Sequence, residues 1–190
     1  MPFPSRTEFI ALMAMVFATI AFSLDAMLPA LPALADEFPG GGANGVQFVV
    51  TIFVLGMGLG TFFTGPLSDA LGRKPVLLAF AGLYAIAAFA ATLATTLEAL
   101  LLARFVQGIG AAGPRVIAMA IIRDRFSGRG MAQITSLVLM VFTLVPAIAP
   151  TLGALLIDLG GWRLVFWAFV VFAAVSGGWL ALRMPETLPR

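Results

Sequence analysis

Cysteine and histidine are both absent from this chain of 190 residues. Without thiols it forms no disulfide and no thiolate metal site, and without imidazole it builds neither a Cys-His nor a Ser-His-Asp nucleophile. Charge is nearly as scarce: Asp, Glu, Lys and Arg make up 11% of the residues, against about 25% in soluble domains. The eleven basic residues are scattered, so the net charge of +2 describes no nucleic-acid surface. The single lysine, Lys74, falls in a turn, which leaves Ser-Lys chemistry without a buried base. The composition reads as that of a protein that is not an enzyme, takes no cofactor and holds no metal.

What is abundant is apolar. The chain is 61% hydrophobic with a mean hydropathy of +1.07. A helical span takes about 20 largely apolar residues, so this length accommodates about six spans with short loops and no soluble domain. The predicted fold is all-α and integral to the membrane: one bundle over 1–190 with spans near 8–35, 46–67, 75–97, 99–122, 131–157 and 163–183. The uncharged run from Phe9 to Leu24 resembles the core of a signal peptide, but it is longer and the apolar character continues to Ala35, so it reads as a first transmembrane helix. Asp36, Glu37 and Pro39-Gly40-Gly41-Gly42 read as a turn on the far side.

The segment Gly65-Pro66-Leu67-Ser68-Asp69-Ala70-Leu71-Gly72-Arg73-Lys74-Pro75 sets the sidedness. A polar break cannot lie among acyl tails, where its backbone groups would lack partners, so it reads as a tight hairpin at the water boundary. Arg73 and Lys74 put it in the cytoplasm. On that assignment Arg6, Arg123, Arg125, Arg129, Arg183 and Arg190 are cytoplasmic too, and only Arg163 lies in an outer turn, with both termini inside. Six spans also divide as two groups of three, the arrangement of a 3+3 inverted repeat.

Three ionisable residues fall inside predicted spans: Asp25, Arg104 and Arg115. A charge at mid-bilayer costs about 2.5–3.5 kcal/mol even on the mildest scale, so each is a candidate for function. Asp25 and Arg104 lie at similar depth and are expected to meet, either as a structural pair or as a proton site whose affinity changes with their separation. Arg104 and Arg115 are eleven residues apart, about three turns, and share a helix face with Gln107, Gly108 and Ala111 that is expected to line a substrate cavity. Arg115 would snorkel toward the cytoplasm or bind an anionic group. Pro29 and Pro32 bend the first helix beside Asp25. In the fifth, Pro146, Ala149, Pro150 and Gly153 make a small-residue face that interrupts or kinks the helix, while Gly56 and Gly60 form a GxxxG packing motif.

These residues carry a family resemblance. The segment from Gly65 to Lys74 resembles motif A of the major facilitator superfamily, the run from Leu100 to Ala112 resembles its motif B, and Ala149-Pro150-Thr151-Leu152-Gly153-Ala154 resembles its antiporter motif C. Together with Leu24-Asp25-Ala26-Met27-Leu28-Pro29-Ala30-Leu31-Pro32 and Arg123-Asp124-Arg125-Phe126, the pattern is similar to the drug/proton antiporters of the bicyclomycin-resistance type. Ala70, Ala149 and Ala154 depart from it, standing where a basic residue and two glycines are usual. The resemblance covers the N-terminal six-helix half of a twelve-helix fold and ends near Pro185-Glu186-Thr187.

The resemblance implies alternating access and export of small, amphipathic compounds in exchange for protons. Asp25 and Arg104 would serve proton coupling, and Gly65, Asp69, Gly72, Arg73 and Lys74 the cytoplasmic gate against the missing half. The implied partners are a small-molecule substrate, protons, the lipid bilayer of a bacterial inner membrane, and either a C-terminal half or a second copy; no nucleic acid is among them. The competing readings are a proton-linked or passive metabolite transporter of the same superfamily, and a non-transporting fragment.

Overall fold

The computed structural model describes residues 3–39 and 42–188. The expected turn at Gly40 and Gly41, and the cytoplasmic Arg190, lie outside the described residues. Helix α1 spans Arg6–Asp25, followed by a 3₁₀ turn at Leu28–Ala30 and the short α2 at Leu31–Glu37; α3 spans Gly42–Leu71, α4 Arg73–Thr92, α5 Leu97–Arg125, α6 Gly128–Gly160 and α7 Trp162–Arg183. Counting α1, the turn and α2 as one, six helical segments are long and apolar enough to cross a membrane, and no strand occurs among the described residues.

The connections are shorter than the charge pattern predicts. Gly65 to Leu71 belong to α3, Pro66 included, and only Gly72 leaves the helix before α4 begins. The expected hairpin over 65–75 is therefore a single residue. Its φ of 105° is one that a side chain opposes, which is why glycine stands there. Gly161, at φ 75°, performs the same reversal between α6 and α7, so Asp158 and Gly160 are helical rather than turn residues. Asp36 and Glu37 likewise lie in α2, Glu98 in α5, and Arg123 to Arg125 are the last turn of α5. Polar residues were read as loops because they cannot sit in hydrocarbon. At 30 residues for α3 and 33 for α6, these helices measure about 45 and 50 Å against a core of about 30 Å, and carry their charges out past it.

Helix α6 also continues through Pro146 and Pro150 without the expected interruption. Each proline removes one backbone donor, and the bonds on either side keep the helix together.

Packing pairs the helices reciprocally. The first helix of each triplet lies against the second of the other, α1 on α6 and α5 on α3, while α4 bridges α5 and α7. Because the chain crosses an odd number of times in each triplet, the two triplets run in opposite senses. Small residues make the close contacts, as expected where lipid offers no hydrophobic drive between helices. A Cβ at Gly56 or Gly108 would collide with the carbonyl oxygens of Phe105 and Phe53 on the facing helix, and one at Gly153 with that of Ala26. The Gly56/Gly60 motif thus packs helices.

Gly108→Ala is expected to lower stability by about 1–3 kcal/mol through overpacking at the α3–α5 contact, whereas Gly82→Ala, where an added Cβ meets nothing within 4 Å, is expected to be neutral or slightly stabilising. Thermal unfolding of the two variants in detergent measures the difference.

Candidate functional site

Helix α1 stops at Asp25, within the apolar segment Arg6–Glu37 that is long enough to cross a membrane. The Ala26 amide still donates to Phe22 O at 3.1 Å, but the next bond has 3₁₀ spacing, from Ala30 N to Met27 O at 3.0 Å. Pro29 and Pro32 cannot donate to the carbonyls of Asp25 and Leu28, which removes two α-helical bonds where the winding changes to 3₁₀. The Ser23 carbonyl finds its partner elsewhere: Nη2 of Arg104 donates to it at 3.3 Å.

Arg104 is fully buried on α5. Its Nε donates to Val49 O of α3 at 3.1 Å and its Nη1 to Oε1 of Gln107 at 2.9 Å. Its guanidinium lies 4.3 Å from the Phe53 ring centroid and 5.8 Å from that of Phe166. Beside it, the Ser23 hydroxyl donates to Thr19 O at 2.5 Å and shares a short hydrogen bond with the buried Tyr84 hydroxyl of α4. Nε2 of Gln107 is buried and finds no hydrogen-bond partner among the described residues.

The expected Asp25–Arg104 ion pair is not formed. The two residues share a layer, as predicted, but positions 23 and 25 stand about 200° apart around a helix. With the Ser23 side chain buried against Tyr84, Asp25 is turned the other way. It is half-buried and makes no ion pair or side-chain hydrogen bond among the described residues. Its neighbour Ala26 abuts Gly153 of α6. On α6, where the sequence resembles an antiporter motif, Ala149 and Gly153 are buried, Pro150 is half-buried and Pro146 exposed.

The predicted cavity face of α5 also needs correction. Gln107, Gly108 and Ala111 are buried in helix contacts, Gly108 directly on Phe53 and Met57, so they line no open cavity. Arg115 alone of that set is exposed, and it has no ion-pair partner among the described residues. Small residues on the face of a buried arginine here mark close packing.

Arg73 and its neighbours form a second cluster. Arg73, the first residue of α4, is buried; its Nη1 pairs with Asp69 and donates to Ser68 Oγ at 2.8 Å, and its Nε pairs with Asp124 of α5 at 3.0 Å. Arg73 is thereby neutralised inside this half rather than presented to another. The Asp69 side chain is 64% exposed and is the group that faces outward. Gly65 is half-exposed within α3, and Lys74 Nζ donates to Ala181 O at 2.7 Å. Glu186 completes the cluster: its carboxylate accepts from the amides of Arg73 at 2.9 Å and Lys74 at 3.1 Å, at the positive end of α4. Burial would raise its carboxyl, but the amides of Leu188, Arg73, Lys74 and Thr187 outweigh that and hold it below the usual carboxylate range.

Sequence reasoning assigned no role to Ser23, Tyr84, Asp124 or Glu186. One signal for the last was present: α4 opens on Gly72, which has no side chain to cap it. Two clasps were also unseen. At the opposite end of the bundle Arg163 pairs with Glu37 at 2.7 Å and donates to Ala94 O, with Trp162 Nε1 on the same carboxylate at 2.6 Å. At the Arg73 end Arg183 pairs with Glu8 at 2.6 Å. No group of three or more metal-ligating side chains occurs among the described residues.

Residues 11–190 match the family model of the Major Facilitator Superfamily. The chain is 33% identical over 166 residues to the multidrug resistance protein MdtL of Shewanella sp. strain ANA-3, covering 86% of this chain and 41% of that one. It is 30% identical over 166 residues to a bicyclomycin resistance protein homolog of Haemophilus influenzae, covering 87% of this chain and 42% of that one. Among solved structures, the proton:xylose symporter XylE superposes with a TM-score of 0.84 at 15% identity, over 96% of this chain and 45% of that one. The chain thus spans less than half the length of these relatives.

Arg104→Ala leaves the Ser23 and Val49 carbonyls and Gln107 without their partner, and is expected to cost about 3 kcal/mol or more; Arg104→Lys, with fewer donors, falls between. Thermal unfolding in detergent ranks the three. Glu186→Gln is expected to lose about 1 kcal/mol at neutral pH. Because the folded carboxyl titrates below its ordinary range, its contribution is present above the ordinary carboxylate pKa and is lost as pH falls through the lowered one, so melting curves of wild type and variant are expected to converge in acid.

Proposed function

Because this chain belongs to the major facilitator superfamily, we propose that it is the first six-helix half of a secondary transporter exporting small amphipathic compounds in exchange for protons by alternating access. The observation that carries this reading is Asp25, an acid without a cationic partner among the described residues, placed where the first apolar helix is broken. Ionised in a closed bundle, such a carboxylate costs about 2.5–3.5 kcal/mol; protonated, it does not. Closure with a proton aboard, and release when the site opens to water, couple proton movement to the change of access.

Arg104 acts on this site through the backbone. By occupying the Ser23 carbonyl it favours the end of α1 at Asp25, and its own charge stays with carbonyls and rings rather than cancelling the acid. Arg115, exposed on α5, faces the space that a second half completes and is the group that meets substrate. Asp69 is the gate residue left free to meet that half. The names of the relatives, a multidrug and a bicyclomycin resistance protein, favour drugs as cargo. The basic residues at the Arg73 end favour a cytoplasmic location for it and for both termini, in a bacterial inner membrane. The partner is a C-terminal half or a second copy.

Asp25→Asn is expected to abolish efflux driven by a proton gradient in cells that carry the chain with its completing half, and Asp25→Glu to keep part of it. Undiminished efflux in the Asn variant would overturn the assignment, and absence of flux with any partner would favour a non-transporting role.

A further inference from the structure

At the Arg73 end, Arg6 of α1 and Arg129 of α6 flank a cleft of about 690 Å³ whose floor is Ala132, Gln133, Ser136 and Leu137. Arg6 Nη2 donates to Oε1 of Gln133 at 2.9 Å, which holds one guanidinium across the α1–α6 seam. Neither arginine forms an ion pair among the described residues. The acid nearest in sequence to Arg6, Glu8, is engaged by Arg183 and Trp179. Two positive charges therefore remain at one cleft with no acid paired to them among the described residues.

The same seam changes character one helical turn deeper. From Val141 the surface between α1, α6 and α7 becomes a groove of about 380 Å³ lined by apolar side chains, among them Ala18, Phe22, Leu144, Ile148 and Phe172. Leu137 belongs to the cleft and Val141 to the groove. An anion-binding head and an apolar channel thus lie end to end along one side of α6. An acyl chain covers half of a hydrocarbon core of about 30 Å, some 15 Å or ten residues of helix, and so reaches from Gln133 to the level of Leu144.

We propose that this seam is a binding site for one anionic phospholipid, its phosphate held between Arg6 and Arg129 and one acyl chain lying along Leu137, Val141 and Leu144. The apolar continuation selects a lipid over a free phosphate, because a soluble anion gains nothing from the groove. The site is independent of the transport reading and of which leaflet the Arg73 end occupies.

The test reconstitutes the chain in equal phosphatidylglycerol and phosphatidylcholine, then counts lipid retained in detergent by native mass spectrometry. The wild type is expected to retain phosphatidylglycerol in preference. At about 1 kcal/mol per arginine near a lipid surface, Arg6→Gln with Arg129→Gln should reduce that preference about thirtyfold, and either change alone about fivefold. The corresponding lysine pair and Arg123→Gln, an exposed arginine outside the cleft, should keep it. If the double variant does not insert, the single variants carry the result. Equal retention of both lipids by the wild type, or an unchanged preference in the glutamine variants, overturns the site. Displacement of the lipid by millimolar glycerol phosphate would show that the headgroup suffices, and would overturn the acyl-chain part.

Discussion

A guanidinium with no acid beside it, held in the dry centre of the bundle, sets how three helices meet. Arg104 cannot be left bare in hydrocarbon, and each of its contacts fixes a different element: Val49 O belongs to α3, Ser23 O to α1, Gln107 to its own helix. The bond to Ser23 falls two residues before α1 ends, and it helps keep α1 from continuing. The break and the half-buried Asp25 lie where Pro29 and Pro32 withhold two backbone donors, and the next residue, Ala26, is the one that Gly153 approaches closely.

The two rims do a different job. At one end Glu37 gathers Trp162 and Arg163, which in turn reaches the carbonyl of Ala94. At the other, Arg73 draws Asp69 and Asp124 together while Glu186 caps α4 from the far end of the chain. These clasps tie the termini of the helices where water begins, leaving the interior to small residues and van der Waals contact. Inside, most of α6 stays uncovered; its buried residues are Ile134, Val138, Ala149 and Gly153.

Much of the fold was legible because lipid imposes so strict a rule. Uncharged stretches of span length, punctuated by Asp69, Arg73, Asp158 and Arg163, gave the number and order of the helices. The same rule misled at the edges, where polar residues were read as loops although the helices simply run on past the hydrocarbon, as Gly65 to Leu71 do. The site was legible as a list of residues and illegible as a geometry. Asp25 and Arg104 were expected to pair from equal depth, but depth says nothing of azimuth, and two residues along a helix is enough to turn a carboxylate away.

The sequence by itself therefore determined that this protein is a bundle of membrane-crossing helices, where its unusual charges stand along them, and which family it resembles. Those properties are set by composition and by distance along one chain, which are local. Only the tertiary structure decided that Arg104 is solvated by backbone carbonyls, that Arg73 belongs to Asp124, and that Glu186 returns to cap α4. Each of those partners is separated from the other by 51 to 113 residues, and a hydrogen bond depends on direction within a few ångströms, which no linear pattern of residue types records.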